Sequence, residues 1–512
     1  MSTTTIPTGN RRAFGLGRRW FAAGAVAALA VIAGACGPQP GAPAQDHGLP
    51  ALQPYLADAS IDLSWELTEH GVQDGYEIQV ASPGSPWTTV ERTNGTSTSF
   101  TDVVPGTTYG FRIGAAVDGG PTTQWAAPVN VTFYDLVLPV VRIDTQDAAP
   151  ILDKENYVPA TMTLDPNGSD FAAYSGTLGI RGRGNSTWLA NKKPYRLRLD
   201  TKSPLMGIAS DRNWVLLANA MDRSQLRSFA ASQIAQATDL AWTPSYRHVE
   251  VILNGRYDGV YQLSEHIRPG ADRVAIDELG SGDNSGHAVT GGYLMEVDQR
   301  LEENNEPGFR TAIDNYPIVV KEPDPMTPQQ REYITNHVQE FENRLYSVNY
   351  TDPVDGYRPY LDVDAFIDHY LVQEVTNNQD GFRYSTFFSK SRGDDRLRYG
   401  PIWDFDLSMG STLSYRSLAP TGWYHQNSSL WTQRLLSDPW LQDQLDARWD
   451  ELQPAFAPLP AQIAALGADL QSAVANDAHR WNYQLGSTDT PAFVSNWLST
   501  RLNWIDERLG AD

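Results

Sequence analysis

Apolar and polar positions alternate in Ile61-Asp62-Leu63-Ser64-Trp65-Glu66-Leu67 and again in Tyr76-Glu77-Ile78-Gln79-Val80, the mark of strands with one buried face. Ser82-Pro83-Gly84, Asn94-Gly95 and Val104-Pro105-Gly106 supply turns at short intervals, so residues 51–134 are expected to form a small all-β, immunoglobulin-like sandwich. From Leu138 the pattern changes. Strands are expected at residues 138–144, 192–200, 213–219, 291–298 and 316–321, with a hairpin where residues 249–253 and 259–263 flank Asn254-Gly255-Arg256. Helical spacing follows Asp222 (Leu226, Phe229, Ala230, Ile234) and Asp362 (Phe366, Ile367, Tyr370, Leu371, Val375), each Asp placed to cap its helix. Residues 384–390 and 397–403 read as the two strands of another hairpin. Residues 431–452, 460–483 and 493–509 are expected to be helical. Residues 138–512 thus form an α+β domain.

The chemistry concentrates at the ends of these elements. The apolar run Tyr399-Gly400-Pro401-Ile402-Trp403 reads as a buried strand and ends in Asp404-Phe405-Asp406. Such a strand delivers carboxylates to a sheet edge, where oxygen ligands can hold a hard cation. The 384–403 hairpin brings its outer ends together, which makes Asp380 a spatial neighbour of Asp404, on a loop held between a helix and a hairpin. A glycine- and arginine-rich stretch, Arg181-Gly182-Arg183-Gly184-Asn185, allows close backbone approach and carries positive charge suited to a phosphate. Six bases, Arg181, Arg183, Lys192, Lys193, Arg196 and Arg198, fall close together in a chain with 39 bases, 61 acids and a formal charge of −22. That clustering points to an anionic substrate, while the acidity elsewhere argues against nucleic acid as a partner. His266 is read as a core-edge histidine, because no second His lies at metal-ligand spacing.

The N-terminus reads as an address. Arg11, Arg12, Arg18 and Arg19 precede an apolar, small-residue run from 21 to 35 that is too short to span a bilayer. Residues 1–35 are expected to be a signal peptide, with Arg11-Arg12 suggesting the twin-arginine route. Cys36, the single cysteine, follows Ala33-Gly34-Ala35 as in a bacterial lipobox. It is the expected acylation site, tethering the protein to the outer face of the cytoplasmic membrane; without acylation the protein would be secreted. The Pro- and Gly-rich residues 36–50 read as a tether.

Two resemblances emerge from these residues. Trp65 together with Gly106-Thr107-Thr108-Tyr109-Gly110-Phe111 resembles a fibronectin type III domain, in which the Tyr forms the tyrosine corner; a spacer role or a glycan or protein contact would suit it. Ile180-Arg181-Gly182-Arg183-Gly184-Asn185-Ser186-Thr187-Trp188, Lys192-Lys193-Pro194-Tyr195-Arg196-Leu197, Gly259-Val260-Tyr261-Gln262-Leu263-Ser264-Glu265-His266 and Gly400-Pro401-Ile402-Trp403-Asp404-Phe405-Asp406 resemble the CotH kinase family. This implies an atypical protein-kinase-like fold and transfer of phosphate from ATP, with Mg²⁺ or Mn²⁺, to Ser or Thr of envelope or secreted proteins. Carried over, Asp380 takes the catalytic position and Asp404 the metal position, with Asp406 a second ligand or its partner. Ser385 stands where ordinary kinases place a second metal-binding residue. Arg181, Arg183, Asn185 and Arg196 would meet the phosphates, Lys192 or Lys193 would be the nucleotide lysine, and Glu265 would serve the hinge or an ion pair. A non-catalytic surface module on the same fold is the alternative. An aspartyl-nucleophile phosphatase is excluded because no Lys follows Lys390, and that chemistry needs one.

Overall fold

The computed structural model describes residues 49–67, 75–116, 122–414 and 419–509. The expected signal peptide and Cys36 lie outside the described residues. No helix among the described residues is long and apolar enough to cross a membrane.

Seven short strands build the N-terminal sandwich: β1 (Gln53–Leu56), β2 (Ile61–Ser64), β3 (Tyr76–Ala81), β4 (Thr88–Thr93), β5 (Ser97–Phe100), β6 (Thr107–Ala115) and β7 (Val129–Phe133). They form two antiparallel sheets, ordered β1-β2-β5 and β4-β3-β6-β7. Alternation along β3 and β6 sends Ile78, Phe111 and Ile113 into the core beside Trp65. The Tyr109 hydroxyl accepts from Val104 N–H at 2.8 Å and donates to Asp102 O at 3.4 Å, which is the tyrosine-corner arrangement.

The next seven strands close into a barrel: β8 (Val140–Thr145), β9 (Val158–Asp165), β10 (Tyr174–Gly182), β11 (Tyr195–Leu205), β12 (Ile208–Leu217), β13 (Tyr246–Leu253) and β14 (Arg256–Glu265). All neighbours are antiparallel except β8 and β13. The β13–β14 hairpin turns at Asn254 and Gly255, both with positive φ (49° and 69°), as a two-residue turn matched to strand twist demands. Closure hides Leu197, Trp214, Val249 and Tyr261 inside and leaves alternate residues such as Arg196 outside.

A second sheet, ordered β16-β17-β15-β18-β19, uses β15 (Tyr293–Val297), β16 (Gly308–Arg310), β17 (Pro317–Glu322), β18 (Thr386–Lys390) and β19 (Leu397–Tyr399). It shares the largest core with helices Pro328–Leu345 and Val363–Thr376. The latter is buried from Phe366 to Thr376 and is capped by Asp362, which accepts from Ala365 N–H at 3.3 Å.

Three expectations are corrected. The strand expected to run to Asp404 ends at Tyr399, because Gly400 takes φ 110° and Pro401 has no N–H to continue a ladder. The helix expected at 431–452 is two, Leu430–Leu435 and Pro439–Phe456, broken where Asp438 caps the second with Pro439 in its first turn. The helix expected at 460–483 is also two, Leu459–Asp469 and Gln471–Trp481. Helix Pro491–Leu509 follows.

Candidate active site

The β18–β19 hairpin pairs Phe388 with Tyr399 and Lys390 with Leu397, which returns the chain to the end of helix Val363–Thr376. That helix stops at Asn377 in the left-handed conformation (φ 48°), which Asn tolerates better than most residues. Asn378 then braces the turn. Its Nδ2 donates to Gln373 Oε1 at 3.1 Å, and its Oδ1 accepts from Asp380 N–H at 3.3 Å. The Asp380 carbonyl accepts from Arg383 and Tyr384 N–H at 3.0 and 2.9 Å. Ser385 Oγ donates to Asp404 Oδ2 at 3.4 Å, and Asn378 Nδ2 to Asp404 O at 3.5 Å, so one turn contacts both acidic segments. Asp404 itself has φ 69°, a sparsely populated conformation for a non-glycine residue. Its successor Phe405 is buried, and Met409 N–H donates to Thr376 O at 2.9 Å.

The three carboxylates perturb one another. Burial, then the Asp404 charge, pushes the Asp380 carboxyl up to about 6, with Arg300 and Arg383 opposing. Burial, then Asp404 and Asp380, pushes Asp406 well above the ordinary carboxylate range against the pull of Arg227. Like charges brought together out of water favour proton uptake or a bound cation.

Facing them is a cleft of about 550 Å³ lined by Arg181, Arg183, Arg196, Lys321, Asp404 and Asp406 among others. Strands β10 and β11 pair Arg181 with Arg196, which brings the two arginines side by side. Arg183 stands 5.4 Å from the Trp403 ring; burial lowers its affinity for a proton while Asp404 raises it. The Arg196 Nε is buried without a hydrogen-bond partner. Arg181 is partly occupied, donating to the Lys154 carbonyl and, at 3.2 Å, to Glu155 O. Asn185 lines the same cleft at the start of a short 3₁₀ turn, Ser186–Leu189.

Three expected nucleotide ligands sit elsewhere. Lys192 is buried, 2.8 Å from Asp477 of helix Gln471–Trp481, and also donates to Val260 O. Lys193 donates to Trp188 O at 2.6 Å and lies over that ring. Glu265 is buried, accepting from Ser245 N–H at 2.7 Å with Arg273 at 3.7 Å. None lines the cleft. Their neighbours come from segments distant in sequence, which local spacing cannot reveal.

Other residues take their place. Lys321, at the end of β17, lies 2.6 Å from Glu306 and 3.4 Å from Glu296 inside the cleft. Burial opposes its charge, yet the two glutamates hold its ammonium above the ordinary value; burial in turn pushes Glu296 up to about 7. The signal was available: Lys321 ends an apolar run just as Asp404 does. His266 also lines the cleft, held well below its ordinary value by burial and by Arg196 and Arg183. No group of three or more His, Cys, Asp or Glu among the described residues forms a ready-made metal site. The donor set still fits a hard cation of the Mg²⁺ kind, which typically takes one or two carboxylates and completes its shell with phosphate oxygens and water.

The fibronectin-like part matches a model described as a PBP1-like, fibronectin3-like domain over residues 56–125. No curated protein matches the chain. Among solved structures, it is similar to the FN1-FN3 domains of chicken CNTN1 (14% identity, TM-score 0.15, 30% of this chain), the twitchin kinase region of C. elegans (14%, 0.17, 43%) and titin kinase with its flanking domains (11%, 0.14, 46%). The chain spans 59%, 40% and 40% of those three chains. The model described as CotH kinase protein matches residues 180–505, a span containing both the arginine-lined wall and the acidic turn, and the chain belongs to that family.

Proposed function

We propose that this protein transfers the γ-phosphoryl group of ATP to a serine or threonine hydroxyl of envelope or secreted proteins. The observation that carries the reading is a single cleft lined by Arg183, Arg196 and Lys321 together with Asp404 and Asp406, beside Asp380. The cationic wall would hold the triphosphate, with Lys321 in the role first expected of Lys192 or Lys193. Asp404 and Asp406 would hold a divalent cation, which supplies neutralisation of phosphate charge when bound. Asp380 would orient the acceptor hydroxyl and take its proton as the new O–P bond forms. The bond from Pγ to the bridging oxygen breaks, and ADP leaves with that oxygen. A raised Asp380 pKa suits this role, since a general base works best when poised near the working pH.

The address segment completes the proposal. Export by the twin-arginine signal and acylation at Cys36 would place the catalytic domain outside the cytoplasmic membrane, with envelope proteins as substrates. The purified chain, incubated with labelled ATP and Mg²⁺ or Mn²⁺ and analysed by mass spectrometry, should yield phosphoserine or phosphothreonine. Asp404→Ala should abolish metal-dependent turnover, and Asp380→Asn should lower kcat by about a thousandfold or more with the fold intact by circular dichroism. Turnover of Asp380→Asn at the parent rate overturns the assignment.

A further inference from the structure

The turn that carries Asp380 also carries a cation whose charge favours the ionised form of Asp380. Arg383 lies three residues on, half-buried. Among the described residues its guanidinium makes neither a hydrogen bond nor an ion pair within 4 Å; it lies 5.6 Å from the Tyr384 ring and acts on Asp380 through charge alone. Arg300 stands 4.9 Å from the same ring, with its Nε held by Asp298 at 3.2 Å. In a chain with 61 acids and 39 bases, this arginine feels the Asp380 charge yet keeps its donors without a hydrogen-bond partner among the described residues.

The backbone beneath this cation is fixed. A Cβ on Gly381 would meet Gln373 and His425, each at 2.6 Å, so the turn is wedged against the central helix. Phe382 is buried at φ 61°, with its N–H bonded to Thr386 Oγ1 at 2.9 Å and its carbonyl accepting from Tyr316 OH at 2.6 Å. The Arg383 carbonyl accepts from Gln299 N–H at 3.2 Å, which ties in the segment bearing Arg300. A rigid base with a free, planar, five-donor head is what recognition of an incoming carboxylate or phosphate requires. The nucleotide does not need this residue: Arg183, Arg196 and Lys321 line the cleft, and Arg383 does not.

We infer that Arg383, backed by Arg300, selects acceptor peptides bearing an anionic side chain within a few residues of the hydroxyl. The inference rests on the phosphotransferase reading of the same site. It is tested with the full chain, ATP and Mg²⁺, and one peptide series in which the residues flanking a single serine are Ala, Asp, phosphoserine or Lys. The Asp or phosphoserine peptide should have kcat/KM about tenfold above the Ala peptide, the better of the two naming the anion. Arg383→Gln should shrink that ratio to about twofold, and Arg383→Glu should reverse it in favour of Lys. A parent enzyme that treats Ala and both anionic peptides alike, or an Arg383→Gln variant that keeps the full ratio, overturns it. Fluorescence anisotropy of the same peptides separates the two proposals. Tighter binding of anionic peptides without transfer supports the acceptor surface and sinks the transferase reading, whereas equal binding of all four sinks the acceptor surface itself.

Discussion

At the scale of single residues, ionisable groups of the same type diverge by neighbourhood. Lys192 and Lys321 are both held by carboxylates, but Lys192 is buried against helix Gln471–Trp481 and Lys321 lines the cleft. Breaking a buried pair strands the remaining charge, so Lys192→Met should cost about 3–5 kcal/mol of stability, and adding Asp477→Leu should recover only part of it, because Asp477 also accepts from Val260 N–H and Tyr483 OH. Lys321→Met should instead raise the nucleotide KM about tenfold with a small change in melting temperature. Chemical denaturation together with steady-state kinetics distinguishes the two outcomes. Burial holds His248 down at about 4 and His369 at about 3. Both take up protons more readily when unfolded, so their contribution is present above the ordinary histidine pKa and is lost as pH falls towards 4. Between pH 7 and 5 each should cost about 2 kcal/mol. The urea midpoint should therefore fall on acidification, and His369→Gln should reduce the drop; an equal drop in parent and variant would refute the burial argument.

At the scale of elements, the site is an encounter of terminated structures. Helix Val363–Thr376 stops at a left-handed Asn377, β19 stops at Gly400-Pro401, and β17 ends at Lys321 and Glu322. After β19 stops, Trp403, Asp404 and Asp406 enter the cleft; β17 brings Lys321 and Glu322 to it; and the helix stop leads into the turn that carries Asp380. The hairpin that joins Asp380 to Asp404 was legible in the sequence, because a polar turn between two apolar runs leaves little choice of pairing. The closed barrel was not. Closure depends on β8 meeting both β9 and the distant β13, and no local pattern encodes a parallel partner a hundred residues away. Helix Pro328–Leu345, with a capping box of Thr327 and Gln330, carried a readable signal that sequence reasoning missed.

At the scale of the whole molecule, the fibronectin-like module is fused to the barrel. Leu56 N–H donates to Gly255 O at 2.8 Å, and Tyr55 OH to Asp144 Oδ2 at 3.1 Å. The Tyr134 and Tyr257 rings lie 4.3 Å apart, and Tyr134 OH meets His479 Nδ1 at 3.2 Å. One core holds Ile78 and Phe111 of the module together with Val140, Ile252 and Tyr257 of the barrel. A shared core couples unfolding, so calorimetry should show the module and barrel melting in one transition. Tyr257→Ala should lower that single transition by about 3–5 kcal/mol of stability; two separate transitions in the parent would show that the contact is only adjacency. Helix Gln471–Trp481 extends the linkage, with His479 on the module and Asp477 on Lys192, two residues before the Pro194 that lines the cleft.

By itself the sequence determined the two-part plan, the strand periodicities, the tyrosine corner and the pair Asp380 and Asp404, because each rests on local spacing or on a short hairpin. Tertiary structure alone decided which cations meet the acids. Six bases looked equivalent along residues 181–198, yet Lys192 and Lys193 turned to Asp477 and Trp188 while Lys321, far along the chain, took a place in the cleft. An ion pair is chosen by proximity in a low-dielectric interior, and that proximity exists only once the barrel, the second sheet and the C-terminal helices have packed.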